Sequence, residues 1–487
     1  MSKANLLGKM LSYSPAVIFS ALLQFVTVIV FTHLIDAEAY GRYAIVMVTV
    51  QFLDVMLFAW LRIGEMRFHE AKVLEGGKSD FYGNTQIVLV GLNALILCIG
   101  IPAALYLVPD EALGAAMVSG LFLLVLKAGV SQLLVRHRLH GQSVRYSLVE
   151  IGRSLFSLIV PVVLVVVFGM RDQALLLGAA LVFGVILLAD LLSATVRFAW
   201  RNFDWSSTGT CLRFGVPAVL SVMLADLVAL SDRYVIGFFW GEGTVGIYAV
   251  ASNIARQSIA LLFSVTLVVA YPLLMQAMER EGAEQARLRL RDNFAVVLAL
   301  CIPATVGLAL TAEHVTVVCL GEEYRAAGDL IPWMAVAAFI SGTKLHVYDH
   351  VFHLTKRTGK LLLLNVPIAM LNLVLNLVLV PVGGMQGAIA ATLASYAFGL
   401  VLTIFVATRL MPVPVPFDAV WRILVGAGAM ALVLLVPTYP QTPTGLAVMV
   451  AAGMAVYALV GLLLDLLGSR RITVTVMGRL LRSFRSG

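Results

Sequence analysis

The sequence predicts an all-α polytopic membrane protein of about fourteen transmembrane helices, and three observations predict it. Of 487 residues, 61% are hydrophobic and 13% charged, with a mean hydropathy of +0.96. Soluble domains carry roughly 25% charged residues. Apolar runs near the ~20 residues that cross a hydrocarbon core recur along the chain. In that solvent only helices or a closed barrel satisfy the backbone, and these runs lack the alternation of barrel strands. The third observation is the placement of the basic residues.

In order, the predicted spans are 12–34, 40–62, 85–108, 113–134, 147–169, 173–196, 212–235, 245–274, 291–311, 328–353, 359–381, 385–408, 418–437 and 444–468. The first follows Lys3 and Lys9 and has no small-x-small cleavage site before Asp36, so it reads as a retained helix. Placing both termini and every second loop in the cytoplasm puts most of the 34 basic residues there, in 62–78, 136–145, 280–291, 356–360 and 470–485. Only Arg42, Arg171 and Arg325 fall on the other side, and Lys127, Arg233, Arg256 and Lys344 lie within or at the ends of spans. A miscounted helix would scramble that partition, so the count is even. The net charge of +7 is then topology bias rather than a nucleic-acid signal. No loop is long enough for a separate catalytic domain. Cys98, Cys211, Cys301 and Cys319 have neither metal-ligand nor disulfide-framework spacing, and no cofactor is indicated.

Fragments recur at an offset of about 200 residues. Pro15-Ala16-Val17 returns as Pro217-Ala218-Val219, Gly41-Arg42-Tyr43-Ala44 as Gly246-Ile247-Tyr248-Ala249, and Ile101-Pro102-Ala103 as Ile302-Pro303-Ala304. Six spans separate the copies, so the halves share one orientation, a repeat architecture found in transporters. The expected division is a six-helix lobe over 1–205, a second over 206–410, and a helix pair with a basic cytoplasmic tail over 411–487.

Ser231-Asp232-Arg233-Tyr234-Val235-Ile236-Gly237, running through Gly246-Ile247-Tyr248-Ala249 to Tyr271-Pro272, resembles the seventh and eighth helices of polysaccharide transporters and O-antigen flippases. These belong to the multidrug/oligosaccharidyl-lipid/polysaccharide flippase superfamily. Asn372-Leu373-Val374-Leu375-Asn376, then Pro381 and Gly387-Ala388-Ile389-Ala390-Ala391-Thr392, resembles its helix 11 to 12 turn. Tyr40-Gly41-Arg42-Tyr43 and Trp60-Leu61-Arg62 fit its first hairpin. The resemblance implies two six-helix lobes that alternate access while an undecaprenyl-pyrophosphate-linked oligosaccharide crosses a bacterial cytoplasmic membrane, with helices 1, 2, 7 and 8 lining the path. It implies a transporter rather than an enzyme, acting in O-antigen or exopolysaccharide biosynthesis, with H+ or Na+ as coupling ions and other polysaccharide-assembly proteins as partners. Lipid II flippases and drug/cation antiporters of the same superfamily are alternatives within this class. A membrane glycan polymerase or glycosyltransferase is the alternative outside it, with Glu313, Glu322, Glu323 and Arg325 as its outward charged group.

Carrying a pyrophosphate through ~30 Å of hydrocarbon requires fixed cations in a polar path. In span two, Gln51, Asp54 and Arg62 share a helical face; in span eight, Asn253, Arg256, Gln257 and Ser264 do so. Span one carries Ser20, Gln24 and Thr27, with Asp226 near the repeat position of Gln24. Arg256 is the first candidate for a phosphate contact, or else the partner of Asp226 in an interhelical salt bridge. Lys344 and Lys127 are candidates for the same contact or snorkel to the cytoplasmic interface. Arg62, Asn253, Gln257, Gln24 and Gln51 complete the substrate-binding set, and Asp226, Asp54 and Asp190 are the candidate ion-coupling carboxylates. Asp232-Arg233 reads as an ion pair ending span seven at the outer surface, and Glu150 with Arg153 as a helix-surface pair. His346, His350 and His353 with Asp349 have a superficially metal-like spacing but read as polar lining. Asn365, Asn372 and Asn376 read as a stripe for interhelical hydrogen bonds.

Overall fold

The computed structural model describes residues 3–74, 78–171, 173–192, 203–436 and 438–468, and among them every regular element is helical. The chain is a multi-pass membrane protein. The helices are α1 (Lys3–Leu34), α2 (Ala37–Leu74), α3 (Lys78–Leu107), α4 (Glu111–Leu139), α5 (Ser143–Val166), α6 (Ala174–Leu192), α7 (Trp205–Trp240), α8 (Glu242–Arg280) and α9 (Ala283–Cys319). They continue as α10 (Ile331–Thr343), α11 (Asp349–Leu354), α12 (Gly359–Leu410), α13 (Phe417–Leu435) and α14 (Pro443–Leu463).

Among the described residues eleven helices are long and apolar enough to cross a bilayer, or twelve if the 3₁₀ turn Glu322–Asp329 and the bent segment Ile331–Leu354 form one span. Two features bear on the sequence-based count. In α1 the residues whose side chains are described form a shorter apolar helix, Phe19–Leu34. At 52 residues, α12 would measure about 78 Å if straight, more than twice the hydrocarbon thickness. It is broken at Gly384, whose φ of 54° is open to glycine, and beyond the break Gly387 packs against the backbone of Leu379 and Val380. Residues eight apart in a continuous helix are about 12 Å apart, so the chain reverses there.

Several helices outrun their predicted spans. α2 continues from the apolar stretch to Leu74, through a region the charge pattern treats as a loop, and α7 continues past Asp232 to Trp240. Hydropathy marks only the part of a helix that faces hydrocarbon, whereas a helix persists into the interface wherever its ends are capped and its faces packed. The capping is visible: the Asp204 carboxylate accepts from the Ser206 and Ser207 amides at the start of α7, and Asp110 accepts from Leu113 N at the start of α4. Thr442 caps α14 ahead of Pro443.

The chain forms two compact units. The first comprises residues 1–249 and 365–391, the second 250–364 and 392–487. In the first, α2 and α7 make the most extensive helix pair. Small residues let them approach: a Cβ at Gly64 would collide with Cys211, and one at Gly215 with the backbone of Trp60. Gly178 of α6 likewise seats the ring of Pro161 of α5. Val50, Phe58, Leu61, Leu123, Leu124 and Leu176 fill the core between these helices. In the second unit Phe263, Leu290, Val297, Val351 and Phe352 form the core, and α13 and α14 pack on α9. Tyr457 of α14 donates its hydroxyl to the Ala299 carbonyl at 2.7 Å.

Candidate functional site

In the first unit, α2 and α4 assemble a cluster of charges inside the helical layer. Arg62 folds back along α2 by two turns and grips Asp54 with both guanidinium nitrogens, Nη1 to Oδ1 at 2.9 Å and Nη2 to Oδ2 at 3.1 Å. Lys127 arrives from α4, donating to Gln51 Oε1 at 2.8 Å and lying 4.0 Å from Asp54 Oδ2. The Arg62, Asp54 and Lys127 side chains are 13%, 7% and 18% exposed. Lys127 is therefore turned inward to a carboxylate and an amide, which replaces the snorkelling alternative. Arg62, read at an inner mouth, reaches back toward the middle of its helix. Two cations share the Asp54 carboxylate, and Asp226 and Arg153 also lie within electrostatic reach of Lys127, so the wider group is balanced in charge. Arg153 pairs with Glu150 on its own helix, as its i, i+3 spacing predicts, and its guanidinium lies over the Phe183 ring.

Gln24 is exposed on α1, while Ser20 on the same helix receives a hydrogen bond from Ser154 of α5 at 2.8 Å. Asp190 is half-buried near the end of α6. In the second unit Arg256 is exposed and donates to Asn253 Oδ1 one turn earlier, at 3.3 Å, and Gln257 is half-buried beside them.

Lys344 opens a five-residue π turn, Lys344–Tyr348, and bonds both oxygens of Asp349 at 3.0 and 3.2 Å. It too is held in a local ion pair instead of snorkelling. The histidines next to it face aromatic rings. His346 stacks on Phe263 with centroids 4.9 Å apart, and Tyr271 meets His350 edge-on at 5.2 Å.

Two polar networks escaped the sequence reading. Glu65 of α2, with no exposed surface, receives hydrogen bonds from Arg136 of α4 at 3.0 Å and from Thr85 of α3. Arg136 also bonds Gln86 and lies over the Tyr82 ring. Glu65 falls in a stretch read as a loop, so nothing in the sequence marked it as buried. The second network surrounds Asp232, which is 4% exposed instead of lying at the outer surface. Asn376 donates to Asp232 Oδ1 at 2.6 Å and Tyr248 to Oδ2 at 2.8 Å, while Ser231 donates to Asn372 Oδ1 at 2.9 Å. Both halves were visible, as the Ser231-Asp232 step and as the Asn372/Asn376 stripe; only the fold joins them. The interhelical role read for the asparagines is what the geometry shows, Asn365 included, which bonds the Ser221 carbonyl.

Comparison with known proteins bears on what this arrangement serves. A family model described as "Polysaccharide biosynthesis protein" matches residues 30–329. A probable flippase, AglR, of Haloferax volcanii is 25% identical over 78% of this chain and 81% of its own length. The succinoglycan biosynthesis transport protein ExoT of Rhizobium meliloti is 26% identical over 65% of this chain and 62% of its own. Among solved structures, the lipid II flippase MurJ in an inward closed conformation superposes with a TM-score of 0.68 at 14% identity, covering 93% of this chain and 98% of that one. An inward-facing multidrug resistance transporter of the MATE family and MOP superfamily gives 0.64 at 13% identity, over 80% and 95%. At such identities the two structures speak for the fold.

Proposed function

We propose, starting from the fact that this chain belongs to the polysaccharide biosynthesis protein family, that it is a flippase for lipid-linked oligosaccharide. The carrying observation is the group of Arg62, Lys127 and Gln51 around Asp54, two cationic donors and an amide gathered at one carboxylate within membrane-spanning helices. A pyrophosphate linker brings negative charge that hydrocarbon rejects, and charge-assisted hydrogen bonds from an arginine and a lysine compensate it. The substrate's phosphate oxygens compete with Asp54 for these donors, so binding is an exchange of anions around standing cations. In the second unit, exposed Arg256 with Asn253 and Gln257, and Lys344 if its pair with Asp349 opens, and in the first unit Gln24, are the further polar groups the reading assigns to substrate contact.

The reading includes fourteen spans, obtained when α12 is counted as two helices, the bent segment as one and α1 as a full span. It also includes lobes over 1–205 and 206–410 with an added pair over 411–487, both termini in the cytoplasm, and a bacterial inner membrane. Coupling to H+ or Na+ needs a buried carboxylate. Asp226, Asp54 and Asp190 remain in that role, and Asp232, bonded to the neutral donors Asn376 and Tyr248, joins them as a buried group.

Reconstitution tests the reading: purified protein in liposomes should carry a fluorescent polyprenyl-pyrophosphate oligosaccharide from one leaflet to the other, with a rate that follows an imposed ion gradient. Protein that leaves this lipid in place but expels cationic drugs would make it an antiporter. Rescue of a strain lacking its lipid II flippase would make the cargo lipid II.

A further inference from the structure

The first turns of α2 and α8 meet backbone to backbone. A Cβ on Gly41 would overlap the Glu242 carbonyl, and a Cβ on Gly246 would overlap the Ala37 carbonyl; each would also lie 3.1 Å from the other glycine's amide nitrogen. The contact is reciprocal: Gly41 meets Glu242 as Gly246 meets Ala37, and Ala37/Glu242 and Gly41/Gly246 are both separated by about 205 residues. That is the offset between Gly41-Arg42-Tyr43-Ala44 and Gly246-Ile247-Tyr248-Ala249, so the two copies of one sequence element touch each other, as surfaces do across a two-fold axis.

One contact breaks this symmetry. Arg42 Nη1 bonds Glu38 Oε1 at 2.8 Å on its own helix and Glu242 Oε2 at 2.9 Å on α8. Its repeat equivalent is Ile247, which cannot make such a pair. Next to the crossing the contact is apolar, and it opens further in, where Tyr234 of α7 is 41% exposed. Ile45 and Val245 are buried and flank Gly237 of α7, and Thr49 is hydrogen-bonded to the Tyr234 hydroxyl at 2.8 Å. Gln51 of the charge cluster lies on the same helix, about 14 Å further in than Arg42.

We infer that the Gly41/Gly246 crossing, latched by Arg42 and Glu242, is the outer seal of the pathway, which must part for cargo to leave. The inference rests on the flippase reading and on the orientation given by the basic residues; the crossing itself lies inside the first compact unit. Glycine at both positions brings the two backbones into contact with no side chain to interlock. The closed state is then held mainly by the ion pair and the small apolar plug beneath it, a combination that can open without unpacking a core.

A test independent of transport uses Gln51→Cys in a full-length chain whose four native cysteines are alanine. Reaction with a membrane-impermeant thiol reagent applied from the outer face is followed in right-side-out vesicles. Arg42→Glu and Glu242→Arg should each speed labelling about fivefold, the scale of a partly exposed ion pair. The two together should return it to the parent rate, which also controls for misfolding of either single variant. Labelling unchanged in the single variants, or equally fast in the exchanged pair, overturns the latch. In the same background, without the Gln51 change, Arg42→Cys and Glu242→Cys joined by a short bifunctional thiol reagent should stop glycolipid translocation until reduced. Unimpeded translocation by the joined protein overturns the seal. Failure of the unmodified protein to move the glycolipid would instead count against the flippase reading, while the labelling experiment would still decide whether the outer ends part.

Discussion

Arg62 shows what a single residue contributes here. Its reach back to Asp54 makes a two-point contact that lysine cannot reproduce, because only a guanidinium presents two parallel donors. We expect Arg62→Ala and Lys127→Ala each to lower translocation of lipid-linked glycan by about tenfold or more. Arg62→Lys should recover only part of that loss, measured as initial rates in proteoliposomes at matched protein density. Glu65 differs in kind, being buried with Arg136 and Thr85. Glu65→Ala leaves the Arg136 charge without its carboxylate, a change worth about 3–5 kcal/mol. The expected result is a markedly lower Tm in detergent, with a smaller loss when Arg136 is replaced by methionine in the same chain. Residue-scale legibility follows the same line. Gln51, Asp54 and Arg62 could be placed on one face because a helix has a fixed period. Lys127 could not be assigned to them, since its position depends on how α4 packs on α2.

At the scale of elements, the helices are set by hydropathy where hydrocarbon surrounds them and by caps and close packing where it does not. Gly64, Gly178 and Gly215 are read from sequence only as helical glycines, yet each admits a neighbouring helix to backbone distance. Gly178→Leu should drive the Pro161 ring off α6 and cost about 1–3 kcal/mol through overpacking. Thermal unfolding followed by the reactivity of buried Cys211 and Cys301 measures it, and an unchanged transition would show that α5 and α6 separate freely. The long tail of α2 was not legible, because a polar, charged stretch reads as a loop whether or not it continues a helix.

At the scale of the whole molecule, the chain is a multi-pass helical membrane protein whose basic residues cluster in alternate predicted loops. Both ends should face the cytoplasm. A reporter fused after Gly487 should fluoresce as cytoplasmic GFP and be inactive as alkaline phosphatase, and a phosphatase fusion in 382–384 should be active. An active phosphatase at the C-terminus would place that end outside and overturn the expected orientation. The reversal at Gly384 bears directly on the parity of the count, since it falls between the two spans, 359–381 and 385–408, that the sequence predicts there.

Composition and the spacing of apolar runs determined the fold class, because a bilayer permits few backbone arrangements and exacts ~20 apolar residues for each crossing. The basic residues predict an even count, and short repeated fragments predict duplicated halves. Only tertiary structure decided which polar groups meet: Lys127 with Gln51 and Asp54, Asn376 with Asp232, Glu65 with Arg136. The physical reason is that partitioning into hydrocarbon is a property of each segment alone. Pairing of buried charges depends on which helix faces pack together, and that is fixed by small residues and complementary surfaces far apart in the chain.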